Sequence, residues 1–299
     1  MVTSATSSNR SPAEKETLLR GGRPPATRAA KGHRLPPDLV RVDGRISART
    51  RWLLGAGSFV ALLIVWILAT LPGAVPPIYL PSPLSVIERL FVQAGSGQLW
   101  EDVGISTFRI LTAFLISAVM AIPIGLIMGR VRLADAALTP LVEFARYLPV
   151  VAFVPLSIIW AGTDETQKFL VIWIGTFFAL TLMVIDNARS VARDFVDYGR
   201  TLGMSEGRIL RKIVLRGAMP GILDSLRIAL GWCWTWLLLG ELVAASSGLG
   251  FRITMAQRYL ETDLIFAYIL VLGLMGLASD QLLRLLHRNL FAYLRKHEQ

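Results

Sequence analysis

Apolar runs approaching the roughly twenty residues that a helix needs to cross a bilayer recur along this chain of 299 residues. They lie at Leu53–Leu71, Ile110–Gly129, Phe169–Ile185, Ile228–Gly240 and Leu264–Leu283. Lipid offers no partner to backbone N–H and C=O groups, so runs of this kind resolve as helices. Only 17% of the residues are charged, against about 25% in an ordinary soluble domain. The fold these runs predict is all-α: a polytopic membrane bundle of about six transmembrane helices occupying residues 51–299.

The remaining span is irregular. Between Pro140 and Gly162 the chain reads PLVEFARYLPVVAFVPLSIIWAG, with Pro149 and Pro155 inside an apolar stretch. Interior prolines remove backbone hydrogen bonds and kink helices, which a membrane protein tolerates where the backbone is buried or lines a cavity. A broken helix at a transport pathway and a proline kink used for packing both fit. With Pro149 and Pro155, the candidate pathway residues are Trp160 at the end of this span and Glu241 at the end of the fifth. Glu241 reads as a gate, as a contact for an external protein, or as a solvated helix end. In the fifth span, expected to start after Pro220, Asp224 and Arg227 share a helical face and can pair. The loop 246–263 is expected on the outer side. Upstream, Ser82 is placed to cap a short amphipathic helix beginning at Pro83.

The net charge is +10. Up to Arg51 the chain carries eleven basic and four acidic residues, so +7 sits in the N-terminal segment and +3 in all the rest. Residues 1–50 are rich in Ser, Pro, Gly and Arg and lack hydrophobic periodicity, and they read as a disordered basic cytoplasmic tail with affinity for anionic membrane lipid. No basic stripe with interleaved aromatics occurs elsewhere, so nucleic acid is not an expected partner. The single cysteine, Cys233, lies in an apolar run and reads as a small buried hydrophobe.

The most polar internal segment is residues 194–217, DFVDYGRTLGMSEGRILRKIVLRG. Arg200, Arg208, Arg211, Lys212 and Arg216 outnumber Asp194, Asp197 and Glu206 there. Short loops rich in Lys and Arg stay in the cytoplasm, which with six spans puts both termini inside. Phe195, Tyr198 and Leu202 form one short apolar stripe, and Leu210, Ile213 and Val214 a second. Gly203 lies between them, where a left-handed turn is inexpensive, and Ser205 is placed to cap the second helix. Two amphipathic stripes hinged on a glycine predict a helix–turn–helix built for docking.

This segment resembles the cytoplasmic loop of bacterial ABC importer permeases. Asp197, Tyr198 and Gly199 occupy the positions of that family's E-A-A triplet. Gly203, Ile213 and Leu215 match its G, I and L, and Arg216 stands where the motif has proline. LPSP at 80–83, the Ser106/Arg109 pair, RYLPVVAFVPLSIIWAG at 146–162 and GELVAASSGLGF at 240–251 resemble the nitrate/sulfonate/taurine/bicarbonate-type permeases. The resemblance implies a homodimeric pore in the cytoplasmic (inner) membrane, two ATP-binding ATPase subunits on the cytoplasmic loops, and a periplasmic or extracellular solute-binding protein. It implies a small anion as solute, such as an alkanesulfonate, taurine or nitrate, with bicarbonate, pyrimidine precursors and aromatic acids as alternatives within the same role.

The sequence contains no G-x-x-x-x-G-K-[ST] phosphate loop, and its three histidines, His33, His287 and His297, are scattered. No cofactor, metal site or catalytic constellation is expected, so the chain reads as a transport subunit and not an enzyme, with ATP hydrolysis in a separate subunit. A self-sufficient secondary transporter would carry rows of ionisable residues inside its spans, and none is evident in the sequence.

Overall fold

The computed structural model describes residues 47–71 and 75–291. The expected tail at 1–50 therefore falls almost wholly outside the described residues. The chain divides into two units, 1–61 and 62–299. The first contains the start of α1 (Ala48–Ala69), which at 22 residues is long enough to span a bilayer.

In the second unit the order is α2 (Pro83–Gly95), α3 (Gln98–Arg130), α4 (Arg132–Tyr147), α5 (Val150–Ala161), α6 (Glu165–Ser190), α7 (Arg193–Thr201), α8 (Glu206–Ala244), α9 (Leu249–Arg258) and α10 (Thr262–Leu290). Among the described residues there is no strand. Helices α1, α3, α6, α8 and α10 are each long and apolar enough to cross a membrane, and α4 with α5 forms a further, bent pair, giving up to six spans.

The α4–α5 pair is bent by 98°. Its break falls at Leu148–Pro149, and Pro149 stands at the N-cap of α5 in extended backbone. The second proline, Pro155, sits inside α5 without ending it. Likewise α3 begins well before the expected Ile110, and α8 is one helix of 39 residues that passes straight through Pro220. Five residues near its start, Leu210–Val214, form a π-helical segment in which the Leu215 N–H reaches back to Leu210 O. The separate second loop helix and the start of the fifth span after Pro220 are thus one element. A proline boundary inferred from the sequence assumes that the freed carbonyl has no other recourse, and membrane helices tolerate that loss.

α6 is the centre of the bundle. Its Thr181, Val184, Ile185 and Ala188 face Gly125 and Gly129 of α3, which are four apart on one face. A Cβ on Gly125 would stand 2.7 Å from Val184 and 2.9 Å from the Thr181 carbonyl oxygen. Small residues at i and i+4 let two backbones approach closely, which is the principal means of helix association in lipid. The opposite side of α6 packs on α8, where Asn187 donates to Ser225 Oγ at 2.7 Å and buried Cys233 lies 3.4 Å from Thr176 Oγ1. α10 is held to α8 by Trp234 Nε1 donating to Ser279 Oγ and by Arg227, whose closer partner is Asp280 at 3.0 Å rather than Asp224 at 3.8 Å.

Ser82 caps α2 as expected, accepting from Ser85 N at 3.1 Å with Pro83 in the first turn. Arg89 of α2 pairs with Glu261 and Asp263 beside the start of α10.

Gly125→Val should lower stability by about 1–3 kcal/mol through overpacking, because one of the obstructing atoms is backbone. Thermal unfolding of the detergent-solubilised chain checks this. Gly104→Ala, on the same helix with nothing within 4 Å of its Cβ position, should instead raise the midpoint slightly, since alanine is favoured over glycine in a helix interior by about 0.5–1 kcal/mol.

Candidate functional site

At one end of the bundle lies the segment singled out by its charge. α7 ends in Leu202, and Gly203 adopts φ +71°. Met204 N then donates to Gly199 O at 3.1 Å and Gly203 N to Arg200 O at 2.9 Å. Those two bonds are the 6→1 and 5→2 pair of a Schellman motif, whose left-handed position suits glycine. Ser205 begins α8 through its carbonyl, which accepts from Arg208 N and Ile209 N. Its side chain makes no capping bond, contrary to expectation. The turn is clamped from outside by Arg200, which reaches Asp197 at 3.0 Å and Glu206 at 2.9 Å. The hydrogen bonds and charge of Glu206 hold the Arg200 guanidinium above its ordinary pKa, and Arg200 in turn holds the Glu206 carboxyl below its ordinary range.

Val196 and Gly199 face the bundle. Gly199 abuts Ile213, whose Cδ1 would stand 2.7 Å from an added Cβ, so α7 lies close against α8. Phe195, Tyr198 and Leu202 point away and are each more than 60% exposed. Leu215 is half-buried, and Arg216 is exposed with Arg208, Arg211 and Lys212. The structure therefore gathers Asp197, Tyr198, Gly199, Gly203 and Ile213 into one compact hairpin with an apolar stripe and a cationic flank.

The four candidate pathway residues are not gathered in this way. Pro149, Pro155 and Trp160 lie exposed along α5. Glu241 is 1% exposed and belongs to a polar cluster at the other end of the bundle, so the reading of it as a solvated helix end is overturned.

That cluster centres on Arg109, which is 1% exposed. Its guanidinium donates to both oxygens of Glu165 at 2.6 Å, to Glu241 Oε1 at 2.7 Å and to Ser247 O at 2.7 Å. Glu241 also accepts from Ser106 Oγ at 2.7 Å and from Gly250 N at 2.7 Å. One helical turn away, Asp102 accepts from Gly248 N, Arg252 Nε and Tyr268 OH, all within 3.1 Å. A buried charge is tolerated only when paired and fully hydrogen-bonded, and both buried carboxylates meet that condition. The segment Ser246–Gly250 is thereby pinned to α3 and α8. Gly248 has φ +108°, and a Cβ there would overlap Glu241 Oε1 and come within 2.7 Å of Arg109 Nη1. The expected outer loop beyond it is in fact helix α9.

Asp102 and Tyr268 are absent from the sequence reading, Arg252 falls there only within the loop 246–263, and Ser106 and Arg109 figure only as a pair that carries the family resemblance. One signal could have found the set: Asp102, Ser106 and Arg109 fall at i, i+4 and i+7, a polar stripe on one face of an otherwise apolar helix.

Residues 121–292 match the family model described as "Binding-protein-dependent transport system inner membrane component". The chain belongs to this family. The taurine transport system permease protein TauC of Escherichia coli K12 is 34% identical over 242 residues, covering 79% of this chain and 88% of that protein. A putative aliphatic sulfonates transport permease protein, SsuC of Bacillus subtilis 168, is 30% identical over 250 residues, covering 84% and 91%. Among solved structures, an inward-facing form of the MetNI methionine ABC transporter superposes with a TM-score of 0.53 at 18% identity, over 64% of this chain and 97% of that one. The fold is that of an ABC importer permease, and the protein is a multi-pass transport subunit of that class.

In this permease the Arg109–Glu241 pair can be tested directly. Glu241→Ala leaves a buried guanidinium short of one carboxylate and should cost about 3–5 kcal/mol. Glu241→Gln keeps the acceptor oxygen and should cost less. Unfolding midpoints of the two variants in detergent, compared with wild type, read the difference.

Proposed function

We propose that this permease forms the membrane pore of an importer for a small anion of the alkanesulfonate or taurine type, nitrate being the next member of that class. Two copies form the pore, an external solute-binding protein delivers the anion, and two ATPase subunits dock on the loop 194–217. Both termini and that loop lie in the cytoplasm. The observation that carries the docking role is the exposed stripe of Phe195, Tyr198 and Leu202 on α7. A large apolar side chain turned outward beside charged residues marks a surface made for a partner. The Gly203 turn and the Arg200 clamp hold that surface rigid, so a push on α7 is delivered into α8.

The choice of solute is supported by the names of TauC and SsuC, and it is the part most easily overturned. Deleting the gene should reduce uptake of labelled taurine or a short alkanesulfonate by at least about tenfold, and plasmid-borne permease should restore it. Uptake of both solutes at the wild-type rate in the deletion strain would assign the permease to another anion.

Two variants test the loop. Phe195→Ser with Leu202→Ser should leave insertion intact while abolishing co-purification of a P-loop ATPase with the tagged permease from native membranes. Gly203→Val places a β-branched residue at positive φ, at a cost of about 1–3 kcal/mol, and should uncouple ATP hydrolysis from uptake at normal expression. Normal uptake by that variant would remove the glycine from this role.

A further inference from the structure

The end of the bundle that carries α7 also holds a cleft of about 780 Å³, bounded by the α3–α4 junction, the end of α6, α7 and the first turns of α8. Its charged lining is five arginines and three carboxylates. The carboxylates are all taken: Asp135 by Arg189 at 2.6 Å, and Asp197 and Glu206 by Arg200. Arg130, Arg132 and Arg193 are left with no carboxylate partner among the described residues. Arg130 donates one Nη2 hydrogen to the Val191 carbonyl, but its Nε is buried with no acceptor. A buried donor without a partner costs about 1–3 kcal/mol, and a group of this kind in a native structure needs an explanation. In addition, the N-cap positions of α4 and α7, Val131 and Ala192, provide no side-chain cap. The free first-turn N–H groups of two helices therefore stand beside the unpaired arginines.

We infer that this cleft binds a phosphate group. The guanidinium fork matches the oxygens of a phosphate, and a surplus of two positive charges accommodates the single charge of a phosphodiester or the two of a phosphate monoester. The cleft lies where α3 ends at Arg130 and α6 ends at Ser190, the depth at which lipid headgroups sit, and basic pockets between spans on the cytoplasmic side accept anionic headgroups. An anionic phospholipid and a free phosphate ester share this chemistry. With either bound, the phosphate bridges the α3–α4 junction to α7 and steadies the hairpin that faces the cytosol. The inference does not depend on which solute is carried or on the ATPase reading.

The test uses the full chain, purified in neutral detergent and stripped of lipid, with short-chain phosphatidylglycerol titrated against it and binding read by native mass spectrometry. Phosphatidylcholine of the same chain length is the neutral control. Arg130→Gln with Arg193→Gln should weaken phosphatidylglycerol binding about 25-fold, about fivefold for each charge lost. Arg132→Gln, at an exposed position, should weaken it about fivefold even if the double variant fails to fold. Arg208→Gln with Arg211→Gln, on the cationic face outside this cleft, should change it by less than twofold. Inorganic phosphate identifies the source: displacement of the lipid by millimolar phosphate assigns a free phosphate ester, and lipid retention under phosphate assigns a headgroup. Equal binding by wild type and the Arg132→Gln variant, or an equal loss from Arg208→Gln with Arg211→Gln, overturns the site.

Discussion

In lipid there is no water to squeeze from between two apolar helices, so a bundle must be held by close packing and by polar contacts. In this permease the packing is concentrated in the α3–α6 seam. Gly125 and Gly129 present no side chain, and the backbone of α6 moves in against them until the Thr181 and Ile185 carbonyl oxygens stand within about 3 Å of where a Cβ would be. The other helices are arrayed from that seam: α8 on the far side of α6, α10 on α8, and the bent α4–α5 pair along α6. The seam is also what gives the two ends of α3 fixed positions, and each end carries a polar site.

The two ends solve opposite electrostatic problems. At the Arg109 end, Asp102, Arg109 and Glu241 are removed from solvent and each is matched by hydrogen-bond partners, so the cluster, with Glu165 at its exposed edge, fastens α3, α6, α8 and the Ser246–Gly250 segment into one block. At the α7 end, positive charge exceeds negative, lies near the surface, and is left partly uncompensated. A fully satisfied network resists rearrangement, whereas surplus charge invites a counterion. The fixed end and the responsive end thus follow from the way the same residue types are paired.

Much of this was legible in the sequence, for identifiable reasons. Apolar runs announced the spans because lipid permits little else. Gly203 announced a turn because the hairpin needs a left-handed residue between two stripes, and Pro149 announced the break of the third span. What was not legible depended on partners far apart in the chain. Arg109 read only as half of the Ser106/Arg109 pair, and only the fold brings Glu165 and Glu241, 56 and 132 residues away, into its reach. Pro220 read as a helix start because propensity speaks for isolated chains, and α9 hid inside a polar loop because its buried contacts, Leu249 and Ala256, are too few to make a visible period. The direction of the α7 stripe was equally hidden: an amphipathic pattern says that two faces differ, and the fold decided that Val196 and Gly199 turn inward while the aromatics turn out.

The unbroken course of α8 has a mechanical consequence. From Glu206, held by Arg200, to Glu241, held by Arg109, the chain is a single rod that at ~1.5 Å per residue extends over roughly 50 Å. The two grips are unequal: the Arg109–Glu241 pair is buried, whereas the Arg200–Glu206 pair is exposed to solvent and the weaker of the two. The rod has one place where its hydrogen-bond register is offset, the π segment at Leu210–Val214, within two turns of the loop. A shaft with one collar of offset register near the loop bends there before it bends at the buried Arg109–Glu241 pair of the far end.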